Sequence, residues 1–314
     1  MMFILDSHCD TPSQILRLGL DMSLDNKDAH VDFPKLKRGG VDGAFFALYI
    51  PASLDSRPEE GFDYATQMLE AVRCSVAENS DKAAFAVSRL QAYENKSEDK
   101  FSVFLGLENA SPIGNSLDKL KYLYDNGIRY ITLCHSSDNQ VCDSCASDVK
   151  KWGGLSPFGR EVVAEMNRLG ILVDVSHVSD DTFYDVLKYS TKPVVATHSC
   201  CRALCNQPRN MTDDMIKALA AAGGVIQINF YPIFLNGSEH ASYKLIADHI
   251  DHAVHIAGID HVGIGSDYDG IEVTPEGMAD ISTMPMLFDE LRSRGYSEED
   301  LRKIAGENFF RILG

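Results

Sequence analysis

No run of 18 apolar residues occurs anywhere in the 314-residue chain, so no membrane-spanning helix is expected. The opening Met1-Met2-Phe3-Ile4-Leu5-Asp6 has five apolar residues before a charge, too few for the core of a secretory leader. With no leader ahead of them, the eight cysteines read as reduced thiols, and the expectation is a cytoplasmic protein. Basic residues are in short supply: 29 Lys and Arg stand against 46 Asp and Glu, a formal net charge of −17. Such a chain repels phosphate backbones and anionic lipid, which disfavours nucleic-acid and membrane-surface roles. A small-molecule substrate, or divalent cations held by carboxylates, suits the charge better. No Pro/Gly/Ser-rich linker, charge block or repeat divides the sequence, so residues 1–314 are expected to form a single barrel domain. Gly263-x-Gly265 lacks the third glycine of a dinucleotide fingerprint, which counts against an open doubly wound sheet.

What the chain does have is alternation. Hydrophobic residues make up 45% and charged residues 24%, the balance of an ordinary folded protein. Eight short apolar runs read as buried parallel strands: Met2–Asp6, Val41–Leu48, Ser102–Leu107, Ile128–Cys134, Leu172–Ser176, Pro193–Thr197, Gly224–Phe230 and His261–Ser266. Segments of helical spacing separate them: Phe62–Glu78, Leu117–Asn126, Pro157–Leu169, Asp180–Tyr189, Thr212–Ala222, Ala241–Ala257, Thr283–Arg294 and a last helix opened by Ser297. Eight strands alternating with helices predict an α/β protein with a (β/α)8 TIM-like barrel, of the metal-dependent hydrolase type.

The side chains with metal or acid–base chemistry collect at strand ends. Asp6-Ser7-His8-Cys9-Asp10 follows the first run, Glu108 the third, His135 the fourth, His177 the fifth, His198 the sixth and Asp267 the eighth. In a barrel these ends open onto one face, where barrel active sites are built. His8-x-Asp10 pairs an imidazole with a carboxylate two residues on, a combination that suits Zn²⁺; alone, the same pattern is often an ordinary turn. Glu108 has two oxygens. With His8 and Asp10 on one metal and His177 and His198 on another, a shared Glu108 makes a two-metal site. Asp267 can take a proton from an attacking water and pass it to a leaving amine. Asp269, in an Asp-Gly turn, is read as structural. Cys142-x-x-Cys145 shows no complete four-ligand set nearby and is read as a pair of loop cysteines. Cys9, Cys200, Cys201 and Cys205 are read as packing residues. His249, His252 and His255 share one face of an outer helix and are read as a packing or surface face.

Several short motifs stand in order along the chain. They are His8-Cys9-Asp10-Thr11, Gly106-Leu107-Glu108, Leu133-Cys134-His135, Gly154-Leu155-Ser156-Pro157-Phe158-Gly159, Asp174-Val175-Ser176-His177, Thr197-His198-Ser199, Pro208-Arg209-Asn210 and Gly263-Ile264-Gly265-Ser266-Asp267-Tyr268-Asp269-Gly270. Together they resemble the membrane (renal) dipeptidase family of zinc peptidases, within the amidohydrolase-like barrel hydrolases. The resemblance implies a zinc-dependent dipeptidase with two Zn²⁺ per chain and a metal-bridging hydroxide as nucleophile. It places His8 and Asp10 on one metal, His177 and His198 on the other, and Glu108 as bridge. Asp267 becomes the acid/base aspartate, and His135 the histidine at the scissile carbonyl or its oxyanion. Arg209 becomes the holder of the substrate's terminal carboxylate, a task that suits a guanidinium fork. Tolerance of a D-residue at the second position (L-Xaa-D-Xaa substrates) and a homodimer come with the resemblance alone. Asn109-Ala110-Ser111 and the Ser136–Gly154 segment depart from the family pattern. The rival function is another amidohydrolase-type reaction, on N-acyl amino acids, lactones or phosphoesters.

Overall fold

A computed structural model describes residues 2–313. Eight parallel strands surround the centre: β1 Leu5–Cys9, β2 Gly43–Tyr49, β3 Phe101–Glu108, β4 Ile128–Thr132, β5 Leu172–Asp174, β6 Val195–Ser199, β7 Val225–Ile228 and β8 Val262–Ile264. Each pairs in parallel with the next in this order. Helices lie between them, so the expected (β/α)8 barrel is the architecture found. A ninth short strand, Ala83–Phe85, is additional: it pairs with Phe101–Val103 at the start of β3, before β3 pairs with β4 from Leu105 onward.

Residues alternate across each strand, and that alternation divides the apolar side chains into two cores. Phe45, Phe104, Tyr130, Leu172 and Val195 point inward with Phe3 and Leu5, and Phe309 and Phe310 pack against them. Their neighbours Ala44, Phe46, Val103, Leu105 and Ile131 point outward and meet the helices. Tyr130 lies across Gly106, where any Cβ would collide with the ring.

β1 and β8 close the circle without a regular ladder. Asp267 N donates to His8 O at 3.0 Å and Asp10 N to Tyr268 O at 2.8 Å. Asp6 completes the seam, accepting from Ser266 N at 2.8 Å and Ser266 Oγ at 2.5 Å. Burial pushes the Asp6 carboxyl up to about 6 against the Ser266 hydrogen bonds.

The helix termini follow sequence chemistry. Ser156 Oγ accepts from Gly159 N at 2.8 Å with Pro157 in the first turn, and left-handed Gly170 ends that helix, Pro157–Leu169. Ser297 and Asp300 form a reciprocal capping box. Four helices were not expected: Thr11–Leu18, Phe33–Gly39, Arg89–Ser97 and Pro232–Asn236. Each is short, and three carry a proline in the first turn, which reads as loop in the sequence. The helix expected from Phe62 starts at Pro58, where Pro58, Glu59 and Glu60 supply a favourable first turn. Strand bounds also differ. His8 lies within β1 rather than after it, Glu108 closes β3, and His198 is inside β6. Among the described residues no helix is long and apolar enough to cross a membrane.

Candidate metal centre

Six strands bring their C-terminal ends to one cavity of about 810 Å³, which Asp10, Glu108, His135, His177, Arg209 and Asp267 all help to line. At its floor the Glu108 carboxylate is divided between two groups of ligands. Its Oε2 lies 3.5 Å from His8 Nε2, which is itself 3.6 Å from Asp10 Oδ2. Its Oε1 lies 3.0 Å from His177 Nε2 and 3.3 Å from His198 Nε2. His135 stands beside this second group, with Nε2 3.9 Å from the same oxygen, and its ring contacts those of His177 and Tyr49. Asp267 Oδ1 approaches His8 Nε2 at 3.9 Å on the first side.

The arrangement fits cations. His8 Nε2 and Asp10 Oδ1 are buried with no hydrogen-bond partner, a costly condition unless something outside the chain completes them. His177 Nε2 and His198 Nε2 face each other at 3.0 Å. Charge leads to the same conclusion. Burial lowers His8, yet the Glu108 and Asp10 carboxylates outweigh it and hold this imidazole well above its ordinary pKa. Burial, followed by the Glu108 charge, holds Asp10 well above the usual carboxylate range. Glu108 is driven well below its ordinary value: burial opposes this, but the charge of His8 and the nearness of the His177 and His198 imidazoles prevail. Burial, then Arg209, keeps His177 well below the ordinary value, while burial, then His8 and Arg209, does so for His198. Both imidazoles are therefore neutral and able to ligate. Imidazoles with carboxylates are the donor set of zinc and its neighbours.

Local backbone makes this convergence happen. His177, Asp267, Asp269 and Asn109 all have positive φ, at 70°, 66°, 66° and 79°. Non-glycine residues in this region cost on the order of 1 kcal/mol or more, and such strain gathers at functional sites. Asp269 anchors its turn by accepting from Thr11 Oγ1 at 2.7 Å and His30 N at 2.6 Å, a structural placement. Gly270 presses directly on the site, where an added Cβ would overlap Asp10 Oδ2 and stand 2.9 Å from Asp267 Oδ1. Gly270→Ala is therefore expected to displace Asp10. A shift of about 1 Å costs on the order of 10²-fold in rate. Steady-state kinetics checks this, with the melting temperature as a control for intact fold.

Arg209 is nine-tenths buried. Its Nη1 donates to Ser199 Oγ at 2.8 Å and its Nη2 to His198 O at 2.7 Å. Its Nε has no partner, which leaves a cationic donor for a ligand. Two supporting residues went unnoticed in the sequence. Asn229 Nδ2 donates to Asp267 Oδ2 at 2.8 Å, while Tyr130 Oη lies 2.8 Å from His8 Nδ1. Asn229 carried a legible signal, as a polar side chain inside the apolar run Gly224–Phe230.

Among the described residues, no cysteine joins the ligand groups of the centre. Cys142 is buried, and Cys145 borders the cavity. Neither joins any metal-ligating group found among the described residues. Their loop is held instead by Asp143, which accepts from the N–H groups of Lys151, Trp152 and Gly154. His249 is buried between Cys201 N and Leu235 O.

Comparison with known proteins gives a consistent result. The model of the family described as membrane dipeptidase, peptidase family M19, matches residues 1–314. Dipeptidase verJ of Clonostachys rogersoniana is 34% identical over 325 residues, covering 99% of this chain and 83% of that protein. Dipeptidase aclJ of Aspergillus oryzae is 36% identical over 293 residues, covering 90% and 69%. Among solved structures, a metallopeptidase from Rhodobacter sphaeroides, liganded with a phosphinate mimic of the dipeptide L-Ala-D-Ala, superposes with a TM-score of 0.91. It is 28% identical and covers 99% of this chain and 98% of that one.

Proposed function

Because the chain belongs to the membrane dipeptidase family, peptidase family M19, we propose that it is a dinuclear zinc dipeptidase that accepts L-Xaa-D-Xaa substrates. The observation that carries this reading is the divided Glu108 carboxylate, with His8 facing one oxygen and His177 and His198 the other. His8 and Asp10 would hold one ion, His177 and His198 the second, and Glu108 both. Bound there, zinc supplies a polarised carbonyl and a water acidic enough to attack near neutral pH.

The chain's own residues do the rest. Burial, with the Glu108 charge added, raises Asp267 above the ordinary carboxylate range, against the His8 charge and the Asn229 hydrogen bond. A carboxylate tuned upward is a better proton carrier near neutrality. It takes the proton of the attacking water and delivers it to the departing amine. His135, on the cavity wall beside Glu108, donates to the oxygen on which negative charge develops. Arg209 pairs with the terminal carboxylate, which limits the substrate to one residue beyond the scissile bond. The phosphinate dipeptide mimic carried by the Rhodobacter sphaeroides structure supports both the dipeptide length and the D-configuration at the second position.

Arg209→Met is expected to weaken use of free-carboxylate dipeptides by about 10- to 150-fold, the worth of one charged hydrogen bond of about 1.5–3 kcal/mol. Carboxyl-amidated analogues, already poor, should change little. The general test is amine release from L,L and L,D dipeptides before and after chelation. Chelator-sensitive cleavage favouring the L,D members is the expected result. Cleavage of N-acyl amino acids or lactones in its place would transfer the same barrel to a different substrate class.

A further inference from the structure

Asp174, the last residue of β5, is a fully buried carboxylate with no part in the chemistry above. Four donors converge on it. Oδ1 accepts from Ser176 N at 3.0 Å and Thr197 N at 2.9 Å. Oδ2 accepts from the Thr132 and Thr197 hydroxyls, both at 2.6 Å. A carboxylate oxygen accepts, so the Thr197 hydroxyl directs its single hydrogen to Asp174. The same hydroxyl oxygen lies 2.8 Å from His198 Nδ1. Having no second hydrogen, it accepts there, and Nδ1 carries the proton. His198 Nε2 is then a bare lone pair, directed at Glu108 Oε1 and His177 Nε2.

We infer that Asp174, acting through Thr197, is a positioning residue for the His177/His198 half of the centre only. It fixes the tautomer and ring orientation of His198 and delivers negative charge to that imidazole, which strengthens it as a ligand. Through Ser176 N it also steadies the turn into His177, whose φ of 70° needs holding. On the other side, the His8 imidazole is backed by a neutral group, the Tyr130 hydroxyl at 2.8 Å from Nδ1.

This inference rests on the two-zinc reading, and the experiment separates the two. Metal-free full-length protein is titrated with zinc against a chromophoric chelator, which reads affinity without turnover. Two ions on the wild type are expected. Thr197→Val, close in shape but without the hydroxyl, is expected to weaken one ion by about 10- to 100-fold and leave the other unchanged. Thr197→Ser should restore wild-type affinity, Asp174→Asn should weaken the same ion, and Tyr130→Phe should weaken the other. Melting temperatures establish that each variant is folded. If Thr197→Val does not fold, the contrast between Asp174→Asn and Tyr130→Phe decides. Equal weakening of both ions, or unchanged affinity in folded variants, overturns the inference while leaving the two-zinc reading intact. Fewer than two ions on the wild type overturns both.

Discussion

Asp267→Asn is expected to lower kcat for dipeptides by about 10² to 10⁴-fold while zinc content stays at the wild-type level. That range is the usual contribution of a positioned acid–base group. The substitution is close to isosteric, and asparagine tolerates the left-handed backbone found at this position, where φ is 66°. Asn229 would still meet an oxygen of the new side chain at the distance it now keeps from Asp267, 2.8 Å. What disappears is the ability to accept a proton from water and release it to an amine. Asp267 Oδ1 stands 3.9 Å from His8 Nε2, against 3.6 Å for Asp10 Oδ2, and asparagine keeps an oxygen at this position. The substitution should therefore leave KM and metal binding nearly untouched. Steady-state kinetics paired with elemental analysis checks this. A variant within tenfold of wild type would assign the proton transfer to another group.

Glu108→Gln is expected to have a larger effect on the metals themselves. Each Glu108 oxygen faces its own imidazoles, Oε2 at 3.5 Å from His8 and Oε1 at 3.0 and 3.3 Å from His177 and His198. An amide has one acceptor end and one donor end, so whichever way it turns, N–H groups point at one half of the centre. The loss should exceed the ~10- to 100-fold weakening typical of changes behind the ligands. Equilibrium dialysis against zinc is expected to show at most one ion retained, with turnover lost. Two ions at wild-type affinity would mean that Glu108 does not bridge.

Much of this site was legible in the sequence because barrel geometry does the assembling. Buried parallel strands leave continuous apolar runs, and a polar residue ending such a run has few places to go but the common face. His8, Glu108, His177, His198 and Asp267 could be collected on that ground alone. What was hidden depends on contacts between segments far apart in the chain. Gly270 looks like an ordinary turn residue; only the fold shows that it makes room for Asp10 Oδ2. Tyr130 looks like any strand aromatic, yet it crosses Gly106 to reach His8. Asp174 belonged to a recognised motif without a role, because its partner Thr197 lies on the next strand. The helices after β1 and β7 were obscured by Pro12 and Pro232, which are compatible with a first helical turn but read locally as breaks.

The most direct test of a Glu108-bridged pair of ions is an anomalous difference map, recorded at the zinc edge from crystals of the zinc-loaded protein. Two peaks are expected, one touching His8 and Asp10, the other His177 and His198, with the Glu108 carboxylate touching both. A single peak, or two peaks with Glu108 bound to only one of them, would contradict the bridged centre.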